Sequence, residues 1–192
     1  MQTMFTYNQQ QAAELSTGGN YISETGGYVL KISRAQFVGA QNSKASFLEL
    51  DFESQDGKQL NYISICYCKK DGSPNDYGNQ IIQAIMCITG IQSLSMVQNG
   101  DKYECPELVG KVIGGAFQKV LYTKNNGGEG YKFDLKLPYD PKTKMTAKEK
   151  ITGQFTGESE KYLSTLKDKD DRNQSSSNSV SNGYTPADDF DF

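Results

Sequence analysis

Tyrosines and lysines recur together along several stretches of the chain that otherwise read as β-strands. The candidates are Lys31 in the first predicted strand, Tyr62, Tyr67, Lys69 and Lys70 in and after the third, Lys111, Lys119, Tyr122 and Lys124 in the fourth, and Tyr131 and Lys132, followed by Lys136, in the fifth. Aromatic rings stack on bases, at about 1–3 kcal/mol per base, and lysines neutralise phosphates. On adjacent strands this pattern predicts a groove for single-stranded nucleic acid, although a lone strand tyrosine is more often a packing residue.

Other chemistries find less support in the sequence. Histidine is absent, which excludes Ser–His and Cys–His nucleophile pairs and His-ligated metal sites. Aspartate- or lysine-based chemistry stays formally open. The composition nevertheless leans against an enzyme, and we predict no catalytic residue and no cofactor.

Two sets of residues could in principle hold a metal. One set is the four cysteines, Cys66, Cys68, Cys87 and Cys105, and the other is the acidic run Glu49, Asp51 and Glu53. The cysteines lack the paired C-x₂₋₄-C spacing of convincing zinc sites, so buried small residues are the favoured interpretation. The carboxylates share one face of a predicted strand, where an exposed acidic face is the commoner explanation. No metal site is predicted.

The net charge of −3 is unevenly distributed along the chain. Residues 166–192 carry three basic and six acidic side chains, so the rest of the chain is neutral overall. Neutrality is compatible with nucleic-acid binding if the lysines form a local stripe. The sequence shows no signal-peptide pattern and no apolar run long enough to span a membrane, and few cysteines suit a reducing compartment, which together predict a cytoplasmic protein.

Alternating apolar residues predict the strands that would position these side chains. We expect strands at 28–37, 47–53 and 60–68, with Asp56-Gly57 as a hairpin turn between the last two. A helix at 79–89 ending before Gly90 follows, and then an irregular stretch at 93–106. Strands at 111–124 and 131–139 flank a loop at 125–130, and the Gly114-Gly115 pair predicts a bulge or bend.

The order three strands, helix, two strands predicts a mainly β fold, a five-stranded barrel like the oligonucleotide-binding (OB) fold. Another α+β or all-β domain remains the alternative. Short C-terminal helices are expected at the capping box Thr146–Glu149 and at 158–169. The predicted organisation is a flexible N-terminal arm at 1–20, the OB-like domain at 21–165 and a disordered acidic tail at 166–192.

The last residues form the most specific motif. A Ser- and Asn-rich spacer leads to Asp188, Asp189, Phe190, Asp191 and Phe192. This ending resembles the acidic C-terminal tips of bacterial and bacteriophage single-stranded DNA-binding proteins. The strand that opens with Gly26-Gly27-Tyr28 and the 62–70 strand that runs into a helix are similar to phage-encoded members, although the chain lacks tryptophan.

The resemblance implies a function. Such a protein would bind and protect single-stranded DNA during phage replication, recombination or repair, in the cytoplasm of a bacterial host. Its tip would recruit replication or recombination proteins and could compete with DNA for the basic groove. A homodimer or cooperative array is a further expectation.

Two other functions stay open at the level of sequence. The barrel could be a protein-interaction or assembly module that does not bind nucleic acid. More remotely, it could be a nuclease that uses carboxylates and a metal. Single-stranded DNA and single-stranded RNA would both match these residues.

Overall fold

The computed structural model describes residues 20–124 and 126–172. These residues contain eight strands and three helices. The strands are β1 (Gly26–Gly39), β2 (Ser46–Glu53), β3 (Gln59–Cys68), β4 (Val97–Asn99), β5 (Lys102–Glu104), β6 (Val112–Thr123), β7 (Glu129–Tyr139) and β8 (Lys169–Asp170). The helices are α1 (Asp76–Thr89), α2 (Ala147–Thr152) and α3 (Glu158–Thr165). The expected mainly β class is confirmed.

The first three strands form the predicted antiparallel meander. Alternation along β2 sends Leu48, Leu50 and Phe52 into the core, where all three are fully buried. β1 is long enough to serve two partners besides β2. Its first half pairs with β6, and its second half pairs with β5.

The β6–β7 ladder continues the sheet on the other side of β1. The predicted irregularity in β6 is a register shift between Ala116 and Phe117, next to the glycine pair. Gly114 itself serves close packing, because a β-carbon there would lie 2.0 Å from the Tyr139 ring. A side chain at this position would therefore push β7 away from β6.

The main part of the sheet has the order β3-β2-β1-β6-β7, with the β5–β4 hairpin and β8 as additions. Within the described residues no hydrogen-bonded ladder joins β3 to β7, so the sheet is not closed into a barrel. α1 packs across the sheet and buries Ile81, Ile85 and Ile88 in the core. None of the helices in the described part of the chain is long and apolar enough to cross a membrane.

Three predicted boundaries are wrong. α1 begins at Asp76, about one turn before the predicted start of the helix. The prediction missed this turn because its residues carry no apolar periodicity. The stretch 93–106 contains the β4–β5 hairpin, whose mostly exposed side chains give no alternation of apolar residues. The predicted helix 158–169 ends at Thr165, since Leu166 is extended and Lys169–Asp170 form β8 beside β6. The N-terminal arm up to residue 19 and the tail from residue 173 lie outside the described residues.

A buried glutamate organises the segment that contains α2 and α3. Thr146 and Glu149 form the predicted capping box. The Glu149 carboxylate accepts hydrogen bonds from the backbone N–H of Thr146 at 2.8 Å, Thr156 at 2.7 Å and Glu158 at 3.2 Å. These bonds, led by the one from Thr146, hold the pKa of Glu149 well below its ordinary value. One carboxylate thus fixes both helix starts.

Glu149→Gln should destabilise this segment, because an amide nitrogen cannot accept the hydrogen bonds that one carboxylate oxygen accepts. We expect a melting temperature lower by roughly 5 °C, measured by thermal denaturation. Glu160→Gln, an exposed glutamate on α3, is the matched control and should shift it by less than about 2 °C. Equal shifts for the two variants would contradict the role of Glu149.

The same carboxylate predicts a pH dependence of stability. Its pKa is lower in the folded chain than the ordinary value of 4.5. The stabilisation is therefore complete above pH 4.5 and is lost as the pH falls below it towards the folded pKa. Denaturant unfolding of the wild type and of Glu149→Gln should give a difference in stability at pH 7 that shrinks in acid. A difference that stays constant or grows in acid would argue against this linkage.

Candidate nucleic-acid interface

The open seam between β3 and β7 forms a groove of about 260 Å³, called here the β3–β7 groove. One wall is β3, with Tyr62, Ser64 and Cys66, and the facing wall is β7, with Lys132, Asp134 and Lys136. The start of α1 closes one end through Asn75, Tyr77 and Gly78. The groove exists because these two strands come together without pairing.

Tyr62 is the most exposed aromatic residue of the groove, with 60% of its surface accessible. Its backbone has φ of 59°, which costs about 1–2 kcal/mol for a residue with a β-carbon. The Tyr62 N–H donates to Asp51 Oδ1 at 2.7 Å, and the Arg34 guanidinium lies 5.3 Å from the ring centroid. The bond to Asp51 fixes the backbone of Tyr62, and Arg34 lies against the ring while much of the ring surface stays accessible.

Arg34 binds the acidic residues of the neighbouring strand. Its Nε donates to Asp51 Oδ2 at 2.5 Å and its Nη2 donates to Glu49 Oε1 at 2.7 Å. The two carboxylates raise the pKa of Arg34, with the hydrogen bond to Asp51 as the largest cause. Glu53, the third acidic residue of this strand, pairs with Lys31 at 2.9 Å. The predicted exposed acidic face is thus a set of ion pairs, which makes Glu49 and Asp51 partners of Arg34.

The β7 wall carries an excess of positive charge. The Asp134 carboxylate lies 3.1 Å from Lys136 Nζ and 4.0 Å from Lys132 Nζ. One carboxylate therefore serves two ammonium groups, each of which has three donors. The Tyr77 hydroxyl donates to the Lys136 carbonyl at 3.2 Å and fixes the end of this wall. The wall can offer ammonium groups to an anion in the groove.

The residues before the undescribed tail border the same groove. Lys169 and Asp171 line it, with Lys169 Nζ 2.8 Å from Asp171 Oδ2. The other oxygen, Asp171 Oδ1, is buried and has no hydrogen-bond partner among the described residues. Arg172 binds Asp170, whose pKa falls to about 2 chiefly through that hydrogen bond, and also Glu129 at 2.9 Å. These contacts fasten residues 169–172 beside the β6–β7 hairpin.

Four more predicted residues gather at the end of the β6–β7 hairpin. Lys119 Nζ lies 4.4 Å from the centroid of the Tyr131 ring, and 49% of the Tyr131 surface is exposed. Tyr122 and Lys124 lie over Gly130, since a β-carbon there would come within 2.9 Å and 3.1 Å of them. By strand alternation Tyr122 shares the face of Val120 and Lys132, both of which line the groove. Tyr122 and Lys124 therefore extend one wall of the groove, whereas Lys119 and Tyr131 alternate with the groove-facing residues and lie on the opposite face of the ladder.

The remaining predicted residues lie away from the groove lining. Tyr67 is half-buried and packs edge-on against Phe37 at 6.1 Å, and burial raises the pKa of its hydroxyl. Lys69 and Lys70 are exposed in the turn after β3, Lys111 is exposed just before β6, and Lys31 is paired with Glu53. The tip residues Asp188, Asp189, Phe190, Asp191 and Phe192 lie outside the described residues. Of the eleven predicted body residues, the structure places Tyr62 and Lys132 in the groove lining.

Several groove residues were absent from the predicted set. Ser64 and Cys66 lie two and four residues after the predicted Tyr62 on β3. Since every second residue of a strand points to the same face, the strand period alone could have identified them. Tyr77 and Lys169 carry no such signal, because they reach the groove only through the packing of α1 and β8.

The cysteines are free thiols. Cys66, Cys68 and Cys87 are half-buried, and burial of Cys105 raises the pKa of its thiol to about 12. Residues 20–124 and 126–172 contain no group of three or more His, Cys, Asp or Glu side chains placed to hold a metal ion.

No protein-family model matches the chain, and a search of curated proteins finds no significantly similar sequence. What the protein binds must therefore be inferred from the side chains of the groove.

The ion pairs of Arg34 should matter for stability as well as for the position of Tyr62. Arg34→Lys removes the planar fork that binds Glu49 and Asp51 together. We expect the free energy of unfolding to fall by about 1–3 kcal/mol in denaturant titrations. Lys31→Ala, which breaks the exposed pair with Glu53, is the control and should cost less than about 1 kcal/mol. Similar losses for both variants would contradict this ranking.

Proposed function

We propose that this protein binds single-stranded DNA along the β3–β7 groove, without strong sequence preference. The observation that carries the proposal is the pairing of walls: an exposed Tyr62 ring on β3 opposite Lys132 and Lys136 on β7. Single strands present both unstacked bases and phosphates, which these two walls match.

The β3 wall suits a base. Asp51 fixes the Tyr62 backbone and the Arg34 guanidinium lies 5.3 Å from the ring centroid, which leaves much of the ring surface accessible for a base to stack on. Ring stacking tolerates every base, because each base has a π-face. Duplex DNA keeps its bases stacked inside and offers no such partner, which supports a preference for single strands.

The β7 wall suits the phosphates. Lys132 and Lys136 share one carboxylate, so a phosphate entering the groove meets net positive charge. Tyr122 and Lys124 at the hairpin end continue the same combination of a ring and a cation. A strand that follows this line would meet aromatic and cationic groups in turn over several nucleotides.

The strand order supports an OB-type barrel that is open at one seam. β1 pairs with β2 and β6, β6 pairs with β7, and α1 connects β3 to the second half of the sheet. In OB folds the oligonucleotide lies on the strands around β2 and β3. The proposed groove lies along one edge of that surface.

The acidic tail supports a second role, the recruitment of other proteins. Aspartates and phenylalanines at a chain end fit basic, apolar-lined pockets on replication or recombination proteins, as in the phage-encoded proteins that the tail resembles. Binding by the groove and recruitment by the tail would together serve phage DNA replication, recombination or repair.

Tyr62→Ala should weaken binding of a fluorescent oligo-dT by roughly 5- to 150-fold, the equivalent of one lost stacking contact. The measurement is fluorescence anisotropy at low salt. Tyr62→Phe keeps the ring and should bind almost as the wild type does. Tyr103→Ala removes an exposed tyrosine from β5 and should leave affinity unchanged. Equal affinity of the oligonucleotide for Tyr62→Ala and for the wild type would place the site elsewhere. A wild type that binds no oligonucleotide at all would favour the alternative, a protein-interaction module.

The lysines should appear in the salt dependence. For single strands the log–log slope of affinity against salt falls by about 0.7 for each phosphate contact. Lys132→Ala and Lys136→Ala should each reduce the slope by about that amount. Lys102→Ala, an exposed lysine on β5, is the matched control and should leave it unchanged. Affinity that does not change with salt would refute phosphate contacts in this groove.

A further inference from the structure

Two tyrosines line the β3–β7 groove, Tyr62 on β3 and Tyr77 at the start of α1. The accessible fraction of the surface is 60% for Tyr62 and 49% for Tyr77. Phe47 and Phe133, the phenylalanines among the described residues of the lining, are both buried. The ring surface that a ligand in this groove can reach is therefore supplied by the two tyrosines.

The two tyrosines lie at different ends of the groove. Tyr62 precedes Cys66 by four residues of β3, which span about 13 Å. The start of α1 is fastened at the level of Cys66, because the Asn75 side chain donates to the Cys66 carbonyl at 2.8 Å. Tyr77 follows Asn75 by two residues. Between the two ends the β3 wall carries the small side chains of Ser64 and Cys66, which leave room for a ligand.

The hydroxyl of Tyr77 is already used by the protein, whereas much of its surface is not. The hydroxyl donates to the Lys136 carbonyl of the facing wall at 3.2 Å. Burial, as the largest cause, raises the pKa of Tyr77 to about 12, so the hydroxyl stays a donor at neutral pH. What Tyr77 offers to the groove is therefore the ring, held across the end of the groove by its hydroxyl.

We infer that Tyr77 is a second base-stacking residue, so that one bound strand places one base on Tyr62 and another on Tyr77. The inference rests on the proposed function and adds to it the length of strand that the groove requires. Either ring accepts any base, because each base has a π-face.

The distance between the two positions sets the class of ligand. With phosphates about 3.4 Å apart, as in a stacked strand, about four nucleotides cover the ~13 Å along β3, and an extended strand needs fewer. A free nucleotide can use one ring only. The ligand that fits the groove is therefore a single strand of several nucleotides.

The first test replaces the ring. Tyr77→Leu keeps an apolar side chain on α1 and removes the ring, and it should weaken binding of an oligo-dT of about twelve nucleotides by roughly 5- to 150-fold. The measurement is fluorescence anisotropy at low salt. Tyr77→Phe keeps the ring and loses only the bond to Lys136, so it should bind almost as tightly as the wild type does. Tyr103→Leu makes the same change at an exposed tyrosine of β5 and should leave affinity unchanged.

The second test varies the length of the strand, which separates stacking from a structural effect of the substitution. Unlabelled oligo-dT of increasing length competes with the fluorescent oligonucleotide. Wild-type affinity should rise steeply from about two to about six nucleotides, as the strand becomes long enough to reach both rings. Tyr77→Leu should bind the shortest strands as the wild type does and should lose this rise. A substitution that only loosened the groove would weaken binding at every length by the same factor.

Three results would overturn the role of Tyr77 and leave the proposed function standing. These are equal affinity of Tyr77→Leu and the wild type, an equal loss in Tyr77→Phe and Tyr77→Leu, and a loss in Tyr77→Leu that is the same at every length. Tyr62→Ala is measured alongside and should still weaken binding in each case. A wild type that binds no oligonucleotide would overturn the proposed function itself, so the two failures are distinguishable.

Discussion

The groove depends on how α1 begins against the end of β3. The Asn75 side chain donates to the Cys66 carbonyl at 2.8 Å, and the Asn75 backbone N–H donates to the Tyr67 carbonyl at 2.9 Å. The helix can approach this closely only because Gly78 lacks a side chain, since a β-carbon there would lie 1.8 Å from the Cys66 oxygen. At this end of β3 the carbonyl groups of Cys66 and Tyr67 therefore accept hydrogen bonds from Asn75 at the start of α1. β7 faces β3 here across the open groove.

The two walls of the β3–β7 groove differ in their net charge. On the β1–β3 side, Arg34 is neutralised by Glu49 and Asp51, and the same carboxylates fix the backbone of Tyr62. On the β7 side, lysines outnumber their acidic partner. One wall is thus a rigid platform for a ring, and the other is a charged surface that an incoming anion can compete for.

Alternation made much of the fold predictable. The meander, the helix after it and the β6–β7 hairpin follow from apolar periodicity and from Asp56-Gly57, since these segments bury one face. The β4–β5 hairpin buries too little to leave such a pattern. The site was predictable only in part: Tyr62 was named from its residue type, but its contacts depend on the β1–β2 register, which shifts between Ile32 and Arg34. Lys31 and Lys111 were predicted to share the groove with Tyr62, because the sequence does not show that the folded sheet places them away from it.

The geometry of Tyr62 also has a spectroscopic consequence. The chain contains no tryptophan, so it has no indole fluorescence of its own. A single indole in place of the Tyr62 ring would lie on the rim of the groove with a cation beside it and solvent over its exposed surface. Its emission, excited at wavelengths that the tyrosines do not absorb, would report the polarity of that one wall alone.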